Sequence, residues 1–135
     1  MTVRILVVDD HPVVRHGLRT LLGSCPEWEI IDEAEDGIEA IEKANALKPD
    51  VVVLDVSMPR MDGLQACRRI RKNLPESEVL IVTQHDSAQM MHEAVNAGAR
   101  GYVVKSDAAR DLLAAVEAVS QHKFFSVHGQ GPAAN

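Results

Sequence analysis

Aromatic and cysteine residues are scarce in this sequence. Aromatic residues make up 3% of its 135 residues, and Cys25 and Cys67 are its two cysteines. Apolar residues nevertheless make up 46% of the chain, so the core must be built from aliphatic side chains. Two cysteines without metal-ligand spacing exclude a disulfide framework and a cysteine-ligated metal site. We therefore expect reduced thiols in a cytoplasmic protein.

The sequence also lacks a basic block and a long apolar run. Its net charge is −6 and its lysines and arginines are dispersed, so we expect no nucleic-acid binding by this segment itself. No apolar run reaches the roughly 18 residues that suggest a membrane-spanning helix. Because Met1 leads directly into a strand-like segment, we also expect no signal peptide.

Strand-like and helix-like segments alternate along the chain. Apolar runs typical of strands lie at residues 3–8, 29–31, 51–54, 79–82 and 102–104. Each is followed by apolar residues at helical spacing, as in Val14, Leu18, Leu21 and Leu22. Five strands alternating with five helices predict an α/β fold, with a doubly wound parallel sheet covered by helices on both faces.

Polar side chains follow four of the predicted strands where each strand ends. Asp9 and Asp10 follow the first strand, Asp55 the third, Thr83 the fourth and Lys105 the fifth. A single aspartate after a strand is usually a turn former or a helix cap. Four strands that all end in such groups are harder to explain by turn chemistry, and ligands of open α/β sheets bind beyond this edge.

The three aspartates need positive charge nearby. Two carboxylates about 4 Å apart repel by roughly 4 kcal/mol at an effective dielectric constant near 20. Mg²⁺ fits such a site, because it prefers oxygen ligands and is held by one or two carboxylates together with a phosphate. A carboxylate beside Mg²⁺ and a lysine ammonium can attack phosphorus, which would make Asp55 a phosphoryl acceptor.

Three stretches of the sequence closely resemble the receiver domains of two-component response regulators. They are Ile-Leu-Val-Val-Asp-Asp-His at residues 5–11, Asp-Val-Ser-Met-Pro-Arg-Met-Asp-Gly at 55–63 and Gly-Ala-Arg-Gly-Tyr-Val-Val-Lys at 98–105. The resemblance implies a flavodoxin-like five-stranded sheet of order 2-1-3-4-5 with five helices. His11, the Gly-Ala-x-Gly-Tyr stretch and the Lys105-Ser106 pair are similar to the NarL/FixJ subfamily, whose receivers precede a LuxR-type DNA-binding domain.

The resemblance assigns a role to each residue at the strand ends. It implies that Asp55 is the phosphoacceptor and that Asp10 and Asp55 bind Mg²⁺ directly, together with the backbone carbonyl of Ser57. Asp9 would bind the ion through water. Lys105 would contact the phosphoryl group.

Thr83 and Tyr102 are implied to form the switch, with Thr83 as its hydroxyl and Tyr102 as an aromatic that rotates. The phosphodonor would be a histidine kinase. A homodimer through the fourth helix, fifth strand and fifth helix is the expected assembly. The resemblance covers residues 3 to about 122, so we expect a receiver domain over residues 1–122 and a C-terminal extension over residues 123–135, flexible beyond about residue 126.

Two departures from the family pattern carry consequences. Gln84 stands where the family usually has alanine or glycine, so its side chain narrows access to Asp55, hydrogen-bonds near the phosphoryl group or points into solvent. Ser106 replaces a proline that often follows a cis bond, and the sequence leaves the isomer open.

Three other functions compete with a phosphoacceptor role. A flavin binder of the same architecture is disfavoured because Asp9 and Asp10 would repel a flavin phosphate. A haloacid-dehalogenase-type phosphatase needs a second acid two residues after the nucleophile, where this chain has Ser57. The main alternative is a pseudo-receiver, an interaction module that takes no phosphate.

Overall fold

The computed structural model describes residues 2–58, 60–84 and 87–126. Its sheet has six strands: β1 Val3–Val8, β2 Trp28–Ala34, β3 Val51–Asp55, β4 Glu78–Thr83, β5 Gly101–Val104 and β6 Phe125–Ser126. They lie in the order β2-β1-β3-β4-β5-β6, and every neighbouring pair is parallel. The predicted parallel sheet and the order of its first five strands are therefore confirmed, and β6 is added at the edge beside β5.

Five α-helices connect the strands, as the sequence predicts. They are α1 Pro12–Leu22, α2 Gly37–Leu47, α3 Gly63–Asn73, α4 Ala88–Asn96 and α5 Ala108–Ser120, the last preceded by a 3₁₀ turn at Lys105–Asp107. Side-chain caps begin three of them: Asp36 accepts from the N–H of Glu39, Asp62 from that of Gln65 and Ser87 from that of Met90. Such caps satisfy N–H groups that a first helical turn leaves free.

The core consists of two mainly aliphatic layers, one on each face of the sheet. Alternate strand residues such as Leu6 and Val52 pack with α2, α3 and α4. The residues between them, such as Ile5 and Val51, pack with α1 and α5. All residues of β3 and β4 are buried, which is the burial that their uninterrupted apolar runs predict. Among the described residues, no helix combines the length and apolarity that crossing a membrane would need.

Two strands differ from the sequence prediction by more than a residue at either end. β2 runs from Trp28 to Ala34, although only residues 29–31 read as a strand, because charged residues interrupt its apolar pattern at the sheet edge. β6 begins at Phe125, in the predicted C-terminal extension. The Lys105–Ser106 bond is trans, as are all peptide bonds among the described residues. Residues 127–135, expected to be flexible, lie outside the described residues, as does Pro59 of the predicted loop after β3.

Candidate functional site

The carboxyl edge of the sheet brings three of the predicted residues into contact. Lys105, the first residue after β5, reaches across to the ends of β1 and β3. Its Nζ lies 3.0 Å from Asp9 Oδ2 and 3.3 Å from Asp55 Oδ1. Both aspartates are buried, with 1% and 3% of their surfaces exposed. The parallel sheet therefore places one ammonium group between two buried carboxylates.

Asp10 and His11 complete a compact group of metal-ligating side chains around these two aspartates. One ligand atom from each of Asp9, Asp10, His11 and Asp55 lies within 4.8 Å of the others. Asp10 is partly exposed, and its Oδ1 is 3.0 Å from His11 Nδ1. The sequence pointed to the aspartates and gave the histidines no ligand role. The position of His11 beside them follows from the sharp turn between β1 and α1.

The first residues after β1 are held by hydrogen bonds to Asp9. The backbone N–H of His11 donates to Asp9 Oδ1 over 2.8 Å. The guanidinium of Arg15, one turn into α1, donates to the Asp9 carbonyl over 2.6 Å. Pro12 then starts the helix at the position where its missing N–H costs nothing. This turn leaves Asp10 at the mouth of the site, while Asp9 points toward Lys105.

Gly63 is required at the other side of the site. Its N–H donates to the Val56 carbonyl over 2.8 Å, which folds the loop after β3 back onto the strand end. A Cβ at this position would overlap the carbonyl oxygen of Asp55. The Asp62-Gly63 pair therefore serves two local purposes, because Asp62 caps α3 and Gly63 allows the helix to begin against Asp55.

The surroundings of Asp55 disfavour its ionised form. Burial, and then the negative charge of Asp9, raise the pKa of Asp55 above its ordinary value, although Lys105 and the N–H of Ser57 act in the opposite direction. Burial alone would lower the pKa of Lys105, but its contacts with Asp9 and Asp55 raise it overall. The ammonium group of Lys105 thus favours the ionised form of Asp55, and the carboxylates favour the charged form of Lys105. The carboxylates together carry more negative charge than this one ammonium group offsets.

A divalent cation fits this arrangement. Asp55 Oδ2 is buried and has no hydrogen-bond partner among the described residues, which is costly for a carboxylate oxygen. The surrounding donors are mainly carboxylate oxygens, the ligands that Mg²⁺ prefers. Ser57 lies two residues after Asp55 and is exposed. Its carbonyl as a metal ligand stays a prediction.

The two expected switch residues lie on adjacent strands. Thr83 ends β4 and is 1% exposed, and Tyr102 on β5 is fully buried in the layer that contains α3 and α4. Ile81, two residues before Thr83, pairs with Tyr102 across the two strands. Gln84 is exposed, which favours the interpretation of its side chain as solvent-pointing. The relay between Thr83 and Tyr102 remains a prediction.

Comparisons with known proteins identify similar sequences and folds. A family model described as the response regulator receiver domain matches residues 5–117. The response regulator protein VraR of Staphylococcus aureus is 38% identical over 121 residues, which are 90% of this chain and 58% of that protein. The chain therefore spans little more than half the length of this relative.

Two solved structures resemble the fold closely. A LuxR-family two-component response regulator from Aurantimonas sp. SI85-9A1 has a TM-score of 0.89 and 37% identity, with 93% of this chain and 90% of that chain covered. The signal receiver domain of a NarL response regulator from Mycobacterium tuberculosis has a TM-score of 0.83 and 35% identity, with 89% and 97% covered. Both structures match nearly the whole length of this chain.

Proposed function

The chain belongs to the response regulator receiver family, and from this we propose that it signals by accepting a phosphoryl group on Asp55 from a histidine kinase. The observation that carries the proposal is the environment of Asp55. This carboxylate is buried at the end of β3, its Oδ1 contacts Lys105, and its Oδ2 has no hydrogen-bond partner among the described residues. The group is thus held beside a positive charge, and one of its oxygens is not engaged by a hydrogen bond from the described residues.

In the proposed reaction, a carboxylate oxygen of Asp55 attacks the phosphorus of the donor. A P–O bond forms, and the bond from phosphorus to the imidazole nitrogen of the kinase breaks, with its electron pair leaving on the imidazole. Lys105, which already contacts Asp55, offsets negative charge on the phosphoryl oxygens. Asp55 and Lys105 are in contact before the donor arrives, so these side chains need little rearrangement for the reaction.

Mg²⁺ is the proposed cofactor. Asp10, Asp55 and the backbone carbonyl of Ser57 would hold it directly, with Asp9 acting through water. When bound, the ion supplies charge that shields the phosphoryl oxygens and relieves the repulsion among the aspartates. In its absence, Lys105 is the principal positive group facing Asp9 and Asp55.

Phosphorylation is proposed to act on the neighbouring strands. The Thr83 hydroxyl would donate to a phosphoryl oxygen, a bond to a charged group worth about 1.5–3 kcal/mol. Its inward movement would open space beside β4 for Tyr102. The output is proposed to be a homodimer through α4, β5 and α5, which would control a LuxR-type DNA-binding domain in a longer protein. We place this signalling in the cytoplasm, with no nucleic-acid contact by the receiver itself.

The central test is phosphoryl incorporation from acetyl phosphate and Mg²⁺, followed by intact-mass measurement. The parent should gain one phosphoryl group, and Asp55→Asn should gain none, because the amide is nearly the same size but is not a nucleophile. Glu42→Gln, which neutralises an exposed carboxylate away from the site, should behave as the parent. If the parent gains no mass, the pseudo-receiver alternative is correct. Incorporation by Asp55→Asn would show that the acceptor lies elsewhere.

Substitutions at Asp10, Asp9 and Lys105, together with chelation, test the proposed metal site. Asp10→Ala or chelation with EDTA should abolish incorporation, whereas Asp9→Ala should be milder if its contact to the ion runs through water. Lys105→Ala should leave the metal requirement in place and impair the response to phosphorylation. Equal incorporation with and without EDTA would contradict the metal site.

A further inference from the structure

The segment after α5 covers the edge of the sheet. We call residues 122–126 the strap. Within it, Phe125 pairs with Gly101 and Ser126 with Tyr102, so β6 lies parallel to β5. The N–H of Phe125 donates to the Arg100 carbonyl over 3.1 Å, just before β5 begins. The strap therefore occupies backbone groups of β5 that would otherwise form an open sheet edge.

A sharp turn at His122 directs the strap onto this edge. His122 has φ of 62°, in the left-handed region that is costly for most residues other than glycine. The N–H of Lys123 donates to the Ala118 carbonyl over 2.9 Å, which closes the end of α5. A contact between the His122 imidazole and Glu78 offsets this backbone cost. The Nδ1 atom of His122 lies 2.6 Å from Glu78 Oε2.

Glu78 is a buried anchor for this turn. It is 1% exposed at the first position of β4, where its carboxylate also meets Arg71 Nη1 at 3.1 Å and Arg100 Nε at 3.2 Å. Two arginines are always charged and already outweigh one carboxylate. His122 is thus not needed to neutralise Glu78, and its contact serves to hold the turn that begins the strap.

The other end of the strap reaches both helices beside β5. Phe125 packs against the core layer that contains α5. The Ser126 hydroxyl donates to Met91 Sδ on α4 over 3.2 Å. With its base on Glu78 and its tip between α4 and α5, the strap bridges all the elements of the expected dimer face.

Open sheet edges pair with other edges, and proteins commonly close them with very short strands. A second copy of this chain carries the same β5 edge and is therefore a self-complementary partner for it. We propose that the strap is an autoinhibitory contact that keeps the edge of β5 closed to a second copy, and that a dimer through this edge forms only when the strap is displaced. This inference concerns the resting protein and does not depend on phosphorylation of Asp55.

The proposal is tested by loosening the strap at two separate points. His122→Asn removes the contact with Glu78, while asparagine tolerates the left-handed backbone. Phe125→Pro removes the N–H that bonds to Arg100. Cleavage by trypsin after the exposed Lys123, followed by mass measurement of the fragments, reports the open fraction of the strap. Sedimentation equilibrium of the same samples without a phosphodonor reports self-association.

Both variants should be cleaved faster and should associate more tightly. If the open fraction rises about threefold, the dimer dissociation constant should fall about ninefold, because both copies must open. Lys123→Arg keeps the cleavage site and breaks no contact, so it should match the parent in both measurements. All of these samples are measured without a phosphodonor, which separates this inference from the phosphoacceptor role.

Two results would overturn the proposal. Faster cleavage of both variants with unchanged association would show that the β5 edge is not a dimer surface held closed by the strap. Unchanged cleavage would show that the contacts of His122 and Phe125 do not hold the strap in place.

Discussion

Replacing Asp55 by asparagine should stabilise the protein when no metal is present. The substitution conserves the size of the side chain and removes one negative charge from a buried cluster. In the parent, that charge faces two other carboxylates and one ammonium group, and burial already opposes ionisation of Asp55. The balance of these interactions decides the sign of the effect.

The magnitude follows from the distances. The ligand atoms of Asp9 and Asp10 each lie within 4.8 Å of that of Asp55. At this distance the repulsion of Asp55 by each of them is about 3.5 kcal/mol at an effective dielectric constant of about 20. Attraction to Lys105 at 3.3 Å is about 5 kcal/mol on the same scale. Removing the charge of Asp55 therefore leaves a net gain of about 2 kcal/mol in the free energy of unfolding, and relief of burial adds to it.

Thermal unfolding at neutral pH, in EDTA and in Mg²⁺, measures this gain. In EDTA the melting temperature of Asp55→Asn should exceed that of the parent by about 6 °C for a domain of this size. Mg²⁺ at about ten times its dissociation constant should stabilise the parent by about 1.4 kcal/mol. The variant has lost a ligand, so Mg²⁺ should stabilise it less and the difference should shrink. Glu42→Gln should stay within about 0.5 kcal/mol of the parent in both buffers.

Either of two outcomes would refute this reasoning. A lower melting temperature for Asp55→Asn in EDTA would mean that its contact with Lys105 outweighs the repulsion among the carboxylates. Equal stabilisation of parent and variant by Mg²⁺ would mean that the ion does not bind at Asp55.

Four further outcomes are expected. Thr83→Ala should still be phosphorylated but should lose the change in self-association produced by BeF₃⁻, and full activation of this variant would exclude the hydroxyl as the relay. Gln84→Ala should leave the lifetime of the phosphorylated form unchanged if the exposed amide points into solvent, whereas a several-fold change in dephosphorylation rate would show that it crowds the site. Gly63→Ala should lower the free energy of unfolding by about 2 kcal/mol or more in urea titrations, because its Cβ would overlap the backbone of the acceptor residue, and a neutral effect would contradict the close approach of Gly63 to Asp55. Cys67, fully buried and with its pKa raised to about 12 mainly by burial, should resist a thiol reagent in the folded protein while Cys25 reacts, and simultaneous reaction of both would argue against the packing of α3.

The central strands could be predicted from the sequence because each is buried on both faces. Every residue of β3 and β4 is buried, so an apolar run marks the strand directly. β2 lies at an edge, and its exposed positions carry charged residues that interrupt the pattern. β6 has two residues and exists because β5 pairs with it, which is a long-range contact that no local pattern encodes.

The candidate site could be predicted to a similar extent. Asp9, Asp55 and Lys105 meet because parallel strands end at one edge of the sheet, and the sequence places each of them at a strand end. The position of His11 depends on the direction of a tight turn, which residue types alone do not specify. The burial of Glu78 could not be predicted from the sequence either, because a charged residue before an apolar run is expected to be exposed. Its partner His122 is 44 positions away.

The anchoring of Glu78 bears on where the folding unit ends. The family model stops at residue 117, yet the contact of His122 and the pairing of Phe125 lie beyond it. A chain truncated at the family boundary would lose the last part of α5 and one of the three partners of a buried carboxylate, and it would expose the backbone of β5. Such a shortened chain should therefore express with lower solubility than one ending at residue 126, even though both retain every side chain of the acidic cluster.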